Sequence, residues 1–388
     1  MHRITKDQLA RYLFRQEFET ITTRASPVDF EVEVSYKKVD NTVIQPLYKF
    51  QALYSKLEPL APNGYKDDLI EVFDRSGMYE LEVEFNPASA DRIDIKDGKI
   101  KLQNGTNILS KIRTSDSTFK AWLQQACSLL GDKVHLIPDT NVIMRLYYTN
   151  YLRNLLIEKT HMFEDYGRTM SITIPRLGIL EIESMYNRNK ESENPPPCKA
   201  KQSDKDLYEQ NEERKGKKRR RAFQSMGEIL SLKNDGATVL PATDMSLIQS
   251  FTPVAGQGKA DAWIRREISN SKPNLVRSTQ VRQDRVETSN MAFLTCDLMN
   301  SLAAIAEDLN TIYFYRLEDT NFTLTGIAGY EKLSQLIFNT AIHFEECNIT
   351  LRGNGKERQH NCKGAWSGKS VYDWQNNIVD VTTISSKG

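Results

Sequence analysis

From residue 133 onward the apolar positions of the chain fall into short runs separated by helix-spaced segments. "VHLIP" (134–138), "MSITIP" (170–175), "ATVLPA" (237–242), "MAFLTC" (291–296) and "TIYFYRL" (311–317) read as buried strands. "RLGILEIESMYNR", "AFQSMGEILSL", "KADAWIRREI" and "DLMNSLAAIAEDL" carry helical periodicity between them, and a helix through Leu156 follows the first strand. Strands alternating with helices predict a parallel sheet covered on both faces, a three-layer α/β domain over 133–335. Two polar interruptions, about 187–221 and 270–288, read as insertions in it.

Upstream the grammar differs. Thr5 and Gln8 form a capping box for a helix carrying Leu9, Leu13, Phe14 and Phe18 on one face. Between 28 and 105 the period becomes two, in "FEVEVSYKKV", "YELEVEF" and "IDIKDGKIKL", with Asp97-Gly98 as a hairpin signal. A helix then follows, capped near Ser115–Ser117 and ended by Gly131. Residues 1–132 are therefore expected to form an α+β domain with an antiparallel sheet. Residues 336–388 read as a short β-containing extension.

At 388 residues and 39% hydrophobic content the chain can bury a core in two or three domains. Its 52 basic and 51 acidic residues nearly cancel, so any hold on nucleic acid must come from a local patch. Five scattered cysteines point to a reducing compartment rather than a disulfide framework. No run of 18 apolar residues is present, and the N-terminus lacks a signal-peptide core. The expectation is a protein that avoids membranes and works in the cytoplasm, or in the nucleus of a eukaryote.

Ligands of an open parallel sheet bind beyond the carboxyl ends of its strands. There the sequence delivers Asp139 after the first strand, Glu181 on the helix after the second, Asp261 at the start of "KADAWIRREI", and Asp297 after the fourth. Converging carboxylates repel unless a hard cation lies among them, and oxygen donors without His or Cys suit Mg²⁺ or Mn²⁺. The competing explanation is helix capping for Asp139 and Asp297, since both stand where Asp caps well. Glu183 is the rival of Glu181 but points elsewhere on its helix, and Asp244 in "PATDMS" is the rival of Asp261.

The set "IPDTNV", "ITIPRLGILEIE", "GKADAWI" and "FLTCDLMNSLA" resembles the PIN-domain nuclease family over about 133–318. The resemblance implies a metal-dependent ribonuclease whose Asp139, Glu181, Asp261 and Asp297 bind Mg²⁺ or Mn²⁺. Water would attack the phosphodiester, leaving a 5′-phosphate and a 3′-hydroxyl. Thr140, Asn141 and Thr295 would fill supporting polar positions. The two insertions depart from the family's pattern, and the flanking domains lie outside it.

The charge run Lys217, Lys218, Arg219, Arg220 and Arg221 is read as a contact to the RNA backbone, against a solvated insertion or a nuclear import signal. "GAWSGKS" (364–370) lacks the spacing of a phosphate loop, and the aromatic tail around it reads as ordinary core or as a partner surface. His343, Cys347, His360 and Cys362 lack a paired Cys-x-x-Cys half and do not make a zinc site. The expected partner is RNA, with single-stranded DNA as the alternative, and the N-terminal domain is open to a homo-oligomer or protein partner. The competing function is a catalytically inactive RNA-binding or scaffold protein.

Overall fold

The computed structural model describes residues 2–14, 20–25, 28–39, 43–51, 66–87, 94–96, 99–101, 107–130, 133–153, 155, 169–188, 202–240, 257–277, 289–317, 321–353, 355–364 and 378–387. The chain divides into two compact units, one of 1–79, 185–227 and 318–388, the other of 80–184 and 228–317.

The second unit is α/β. Its sheet has seven strands: β1 (Leu81–Asn86), β2 (Lys111–Arg113), β3 (Lys133–Pro138), β4 (Thr169–Ile174), β5 (Thr238–Val239), β6 (Ser289–Thr295) and β7 (Asn310–Arg316), in the order β5-β4-β3-β6-β7-β1-β2. The run from β5 to β7 is parallel, while β1 and β2 join as an antiparallel edge. The helices are α1 (Phe119–Leu130), α2 (Thr140–Met144), α3 (Arg176–Arg188), α4 (Gln202–Asn234), α5 (Gln257–Arg277) and α6 (Leu298–Ala306). Both α3 and α4 have residues in each unit. Ile137 and Phe293 of the sheet bury against Leu177, Ile264, Ile268 and Ala304 of the helices. The helix expected through Leu156 stops early: α2 ends at Met144, buried Leu146 takes a positive φ of 58°, and a π-helical turn covers Tyr148–Leu152.

In the first unit an eight-stranded, all-antiparallel sheet runs in the order His2–Thr5, Ile378–Lys387, Lys356–Gly364, Glu346–Gly353, Thr20–Ala25, Val28–Val39, Val43–Gln51, Asn321–Thr325. The helix Gly326–His343 packs on it, burying Leu333, Ile337 and Ala341.

These units correct the expected boundaries. Residues 1–132 are not one domain and 336–388 are not an appendage. Strands from both ends of the chain pair into one sheet, because each period-two run has an edge to satisfy and a face to bury. "YELEVEF" instead supplies the antiparallel edge strand of the α/β unit, and the small sheet of Asp94–Lys96, Lys99–Lys101 and Asn107–Leu109 also falls in that unit. The turn at 97–98 lies outside the described residues, as do 189–201, 278–288, most of "GAWSGKS" and the aromatic tail of 365–377.

The basic run belongs to α4, where most of it serves the first unit. Lys217 pairs with Asp68 at 2.6 Å and with Glu213 at 2.8 Å. Arg219 lies over the Tyr186 ring, and Arg221 pairs with Glu71. Arg220 is buried, pairs with Glu345 and donates to the His343 carbonyl at 2.8 Å. Only Lys218 of the five is exposed. Lys217, Arg220 and Arg221 already commit their charges to neighbouring acids and a carbonyl, so the five residues do not form one continuous free cationic strip. Arg220→Met is expected to lower stability by about 1–3 kcal/mol, since it strips the His343 carbonyl of its donor. Lys218→Ala is expected to stay within about 0.5 kcal/mol, as surface changes do. Urea denaturation of the two variants checks this.

Candidate active site

Strands β3 and β6 are neighbours, paired from Lys133↔Ser289 to Pro138↔Leu294. The chain leaves β3 towards β4 and β5 on one side and leaves β6 towards β7 on the other. The order therefore reverses between β3 and β6, which is where open α/β sheets bind ligands. Asp139 follows β3 directly, and Asp297 stands two residues beyond β6.

Asp139 is fully buried. Its backbone N–H donates to Leu294 O at 2.8 Å, carrying the β3–β6 pairing one step further. Its Oδ2 accepts from Thr295 Oγ1 at 2.9 Å, from Asn300 Nδ2 at 3.0 Å and, at the limit of 3.5 Å, from Asn141 Nδ2. Oδ1 is buried with no hydrogen-bond partner. The side chain makes no capping bond to α2. Burial pushes the Asp139 carboxyl above the ordinary range, against the pull of Thr295 and Asn300. Capping does not account for this residue.

It does account for part of Asp297. That side chain accepts from the Asn300 N–H at 3.0 Å as the N-cap of α6, and its own N–H donates to Thr295 Oγ1 at 3.2 Å. Thr295 thus serves both acids. Its two-residue spacing from Asp297 lets a single hydroxyl donate to one carboxylate and accept from the other's backbone.

Glu181 lies in the second turn of α3, and Thr140 Oγ1 donates to its Oε2 at 2.7 Å. A side chain at Gly178, one turn earlier, would begin 3.4 Å from that hydroxyl. The start of α3 is fixed by buried Glu267 of α5, which accepts from the N–H groups of Arg176 at 3.1 Å and Leu177 at 2.9 Å. Two of the four orphan donors of the helix are thereby satisfied. Glu183 is exposed, in keeping with its different direction, and Asp244 lies outside the described residues.

Asp261 sits in the second turn of α5. Burial, followed by the negative charges of Asp139, Glu181 and Asp297, pushes its carboxyl up to about 7, with Arg265 pulling the other way. Each of the other three acids bears on it electrostatically, so the four share one environment. They are not drawn tightly together. Among the described residues no three His, Cys, Asp or Glu side chains form a group that could hold a metal ion. His343 is hydrogen-bonded to Asp68, and His360 to Tyr12 and Thr383.

Two members of the site are absent from the sequence-based set. Asn300 is buried and donates to Asp139; Arg265 is buried, pairs with Glu307 and donates to Asn300 Oδ1. The signal for Asn300 was its place three residues after Asp297, where its backbone meets the cap. For Arg265 the signal was its position one turn beyond Asp261. Neither spacing reveals burial.

Comparison with protein-family models, with curated proteins and with solved structures finds no match to this chain. Among the described residues no helix is long and apolar enough to cross a membrane.

The raised Asp261 carboxyl has a consequence for stability. Its folded pKa, about 7, exceeds the ordinary 3.8, so the folded state holds this proton more firmly than the unfolded state. Stability therefore falls as pH rises through that interval. In the absence of divalent metal, Asp261→Asn is expected to melt higher than wild type at pH 8, by about 1 kcal/mol after discounting for solvent screening. That corresponds to roughly 3 °C. The difference should vanish near pH 4, and thermal melts at the two pH values in chelator decide it.

Proposed function

We propose that the α/β unit is a PIN-like nuclease domain that hydrolyses RNA phosphodiester bonds with Mg²⁺ or Mn²⁺. One observation carries this reading. At the switch point of the sheet a fully buried Asp139 keeps an oxygen without a partner, in an environment where Asp139, Glu181 and Asp297 all bear on Asp261. An unpartnered buried carboxylate oxygen is unfavourable unless a cation or donor reaches it. Oxygen donors alone suit a hard divalent ion, so the donor chemistry fits. Asp139, Glu181, Asp261 and Asp297 would hold it, and when bound it would polarise a phosphoryl oxygen and lower the pKa of water.

The chain's own residues supply the rest. Thr295 and Asn300 orient Asp139, Thr140 orients Glu181, and the cap on α6 leaves Asp297 one oxygen uncommitted to it. Water attack would leave a 5′-phosphate and a 3′-hydroxyl. Single-stranded DNA is the alternative substrate, and the engagement of Lys217, Arg219, Arg220 and Arg221 within the first unit removes the strongest sequence argument for a backbone grip.

A second reading, a catalytically inactive RNA-binding or scaffold protein, draws on the lack of any metal-holding group of three side chains among the described residues. Cleavage of end-labelled single-stranded RNA and DNA, with Mn²⁺, Mg²⁺ or chelator, separates the two. Wild type is expected to cut in metal alone, and Asp139→Asn and Asp297→Asn are expected to lose at least about 100-fold in rate. Retention of RNA without cutting selects the scaffold.

A further inference from the structure

We infer that Arg265 and Asn300 form a positioning relay that, together with Thr295, keeps Oδ2 of Asp139 occupied and leaves Oδ1 to bind metal. The inference rests on the metal site proposed above, and it concerns residues that no sequence motif assigns.

The relay begins at the surface and ends on Asp139. Glu307, exposed, accepts from Arg265 Nε at 3.0 Å and pairs with Nη2 at 3.0 Å. Arg265 itself is 7% exposed, and its Nη1 donates to Asn300 Oδ1. Asn300, 3% exposed, turns its Nδ2 to Asp139 Oδ2 at 3.0 Å.

A carboxamide has one accepting end and one donating end. With a guanidinium against its oxygen, the amide can present only N–H to the carboxylate. The flipped amide would set N–H against guanidinium and oxygen against carboxylate, two repulsive contacts in a buried setting. Arg265 therefore fixes the orientation of Asn300. Asn300 and Thr295 then occupy Oδ2, and Oδ1 remains the oxygen with no protein partner. Arg265 also stands one helical turn after Asp261 and offsets part of the negative charge there. One buried cation thus acts on two of the four acids, reached from two different elements.

Groups that orient metal ligands from behind change metal affinity about 10–100-fold when removed. The alternative role for Arg265 is to tie α5 to α6, which would affect stability alone. Mn²⁺ titration followed by the electron paramagnetic resonance signal of free Mn²⁺ tells these apart without any reliance on turnover. Wild type is expected to take up Mn²⁺ at a site lost in Asp139→Asn. Arg265→Met and Asn300→Leu should each weaken it by about 10–100-fold. The double variant should be no weaker than Asn300→Leu, because Arg265 acts through Asn300. Arg265→Lys, which keeps a charge and a donor, should recover part of the loss.

Unchanged Mn²⁺ affinity in Arg265→Met, with a lowered melting temperature, overturns the relay and leaves the metal site standing. Fully additive losses overturn it too. If Arg265→Met does not fold, unchanged affinity in Asn300→Leu has the same force. A wild-type protein that takes up no Mn²⁺ sinks the metal site and the relay together.

Discussion

The α/β unit is organised around one buried carboxylate, that of Asp139. Asp139 ends the strand next to the switch point, is shut off from water, and gathers its donors on one oxygen only. Removing a carboxylate from water costs several kcal/mol unless its lone pairs find partners. Much of the surrounding sequence answers that cost. Thr295 ends the neighbouring strand with a hydroxyl, Asn300 turns an amide inward, and Arg265 holds that amide from the far side. β3, β6 and α6 bring Asp139, Thr295 and Asn300 together at one carboxylate oxygen, and α5 brings Arg265 to Asn300.

The supporting helices repeat this division of labour. Glu267 of α5 caps α3, and α3 in turn presents Glu181 to Thr140. Glu267 is itself raised by burial, partly relieved by the backbone donors it serves. The helix bearing Asp261 thus also anchors the helix bearing Glu181. A rigid scaffold of this kind is what holds charged groups near one another when mutual repulsion would spread them.

Much of the α/β layout was legible in the sequence. The apolar runs at 134–138, 170–175, 291–296 and 311–317 became neighbouring strands, and Asp139 and Asp297 came to the same edge because strand ends in a parallel sheet must. The extent of α2 was misread, because the apolar pattern after Asn141 continues through the turn at Leu146. The pairing of strands near residue 3 with strands near residue 380 was invisible, since period-two alternation marks a strand and its faces but not its partner. The basic run misled for a related reason. A row of charges looks solvated in one dimension, while Asp68, Glu71 and Glu345 lie far away in sequence. Asn300 and Arg265 show the same limit: their residue types were plain, and their burial was not.

The antiparallel sheet has a temporal side as well. The strand His2–Thr5 pairs with Ile378–Lys387, and Thr20–Ala25 pairs with Glu346–Gly353. During synthesis these early strands have open edges until the last strands emerge. The α/β unit draws its described residues from 80–184 and 228–317, so its core is complete sooner. Pairings so distant in sequence close slowly and leave strand edges exposed meanwhile. Emergence from the ribosome thus favours the acid-bearing unit as the first to fold. The sheet made from both ends of the chain closes last, and until then it is the part most open to mispairing with another chain.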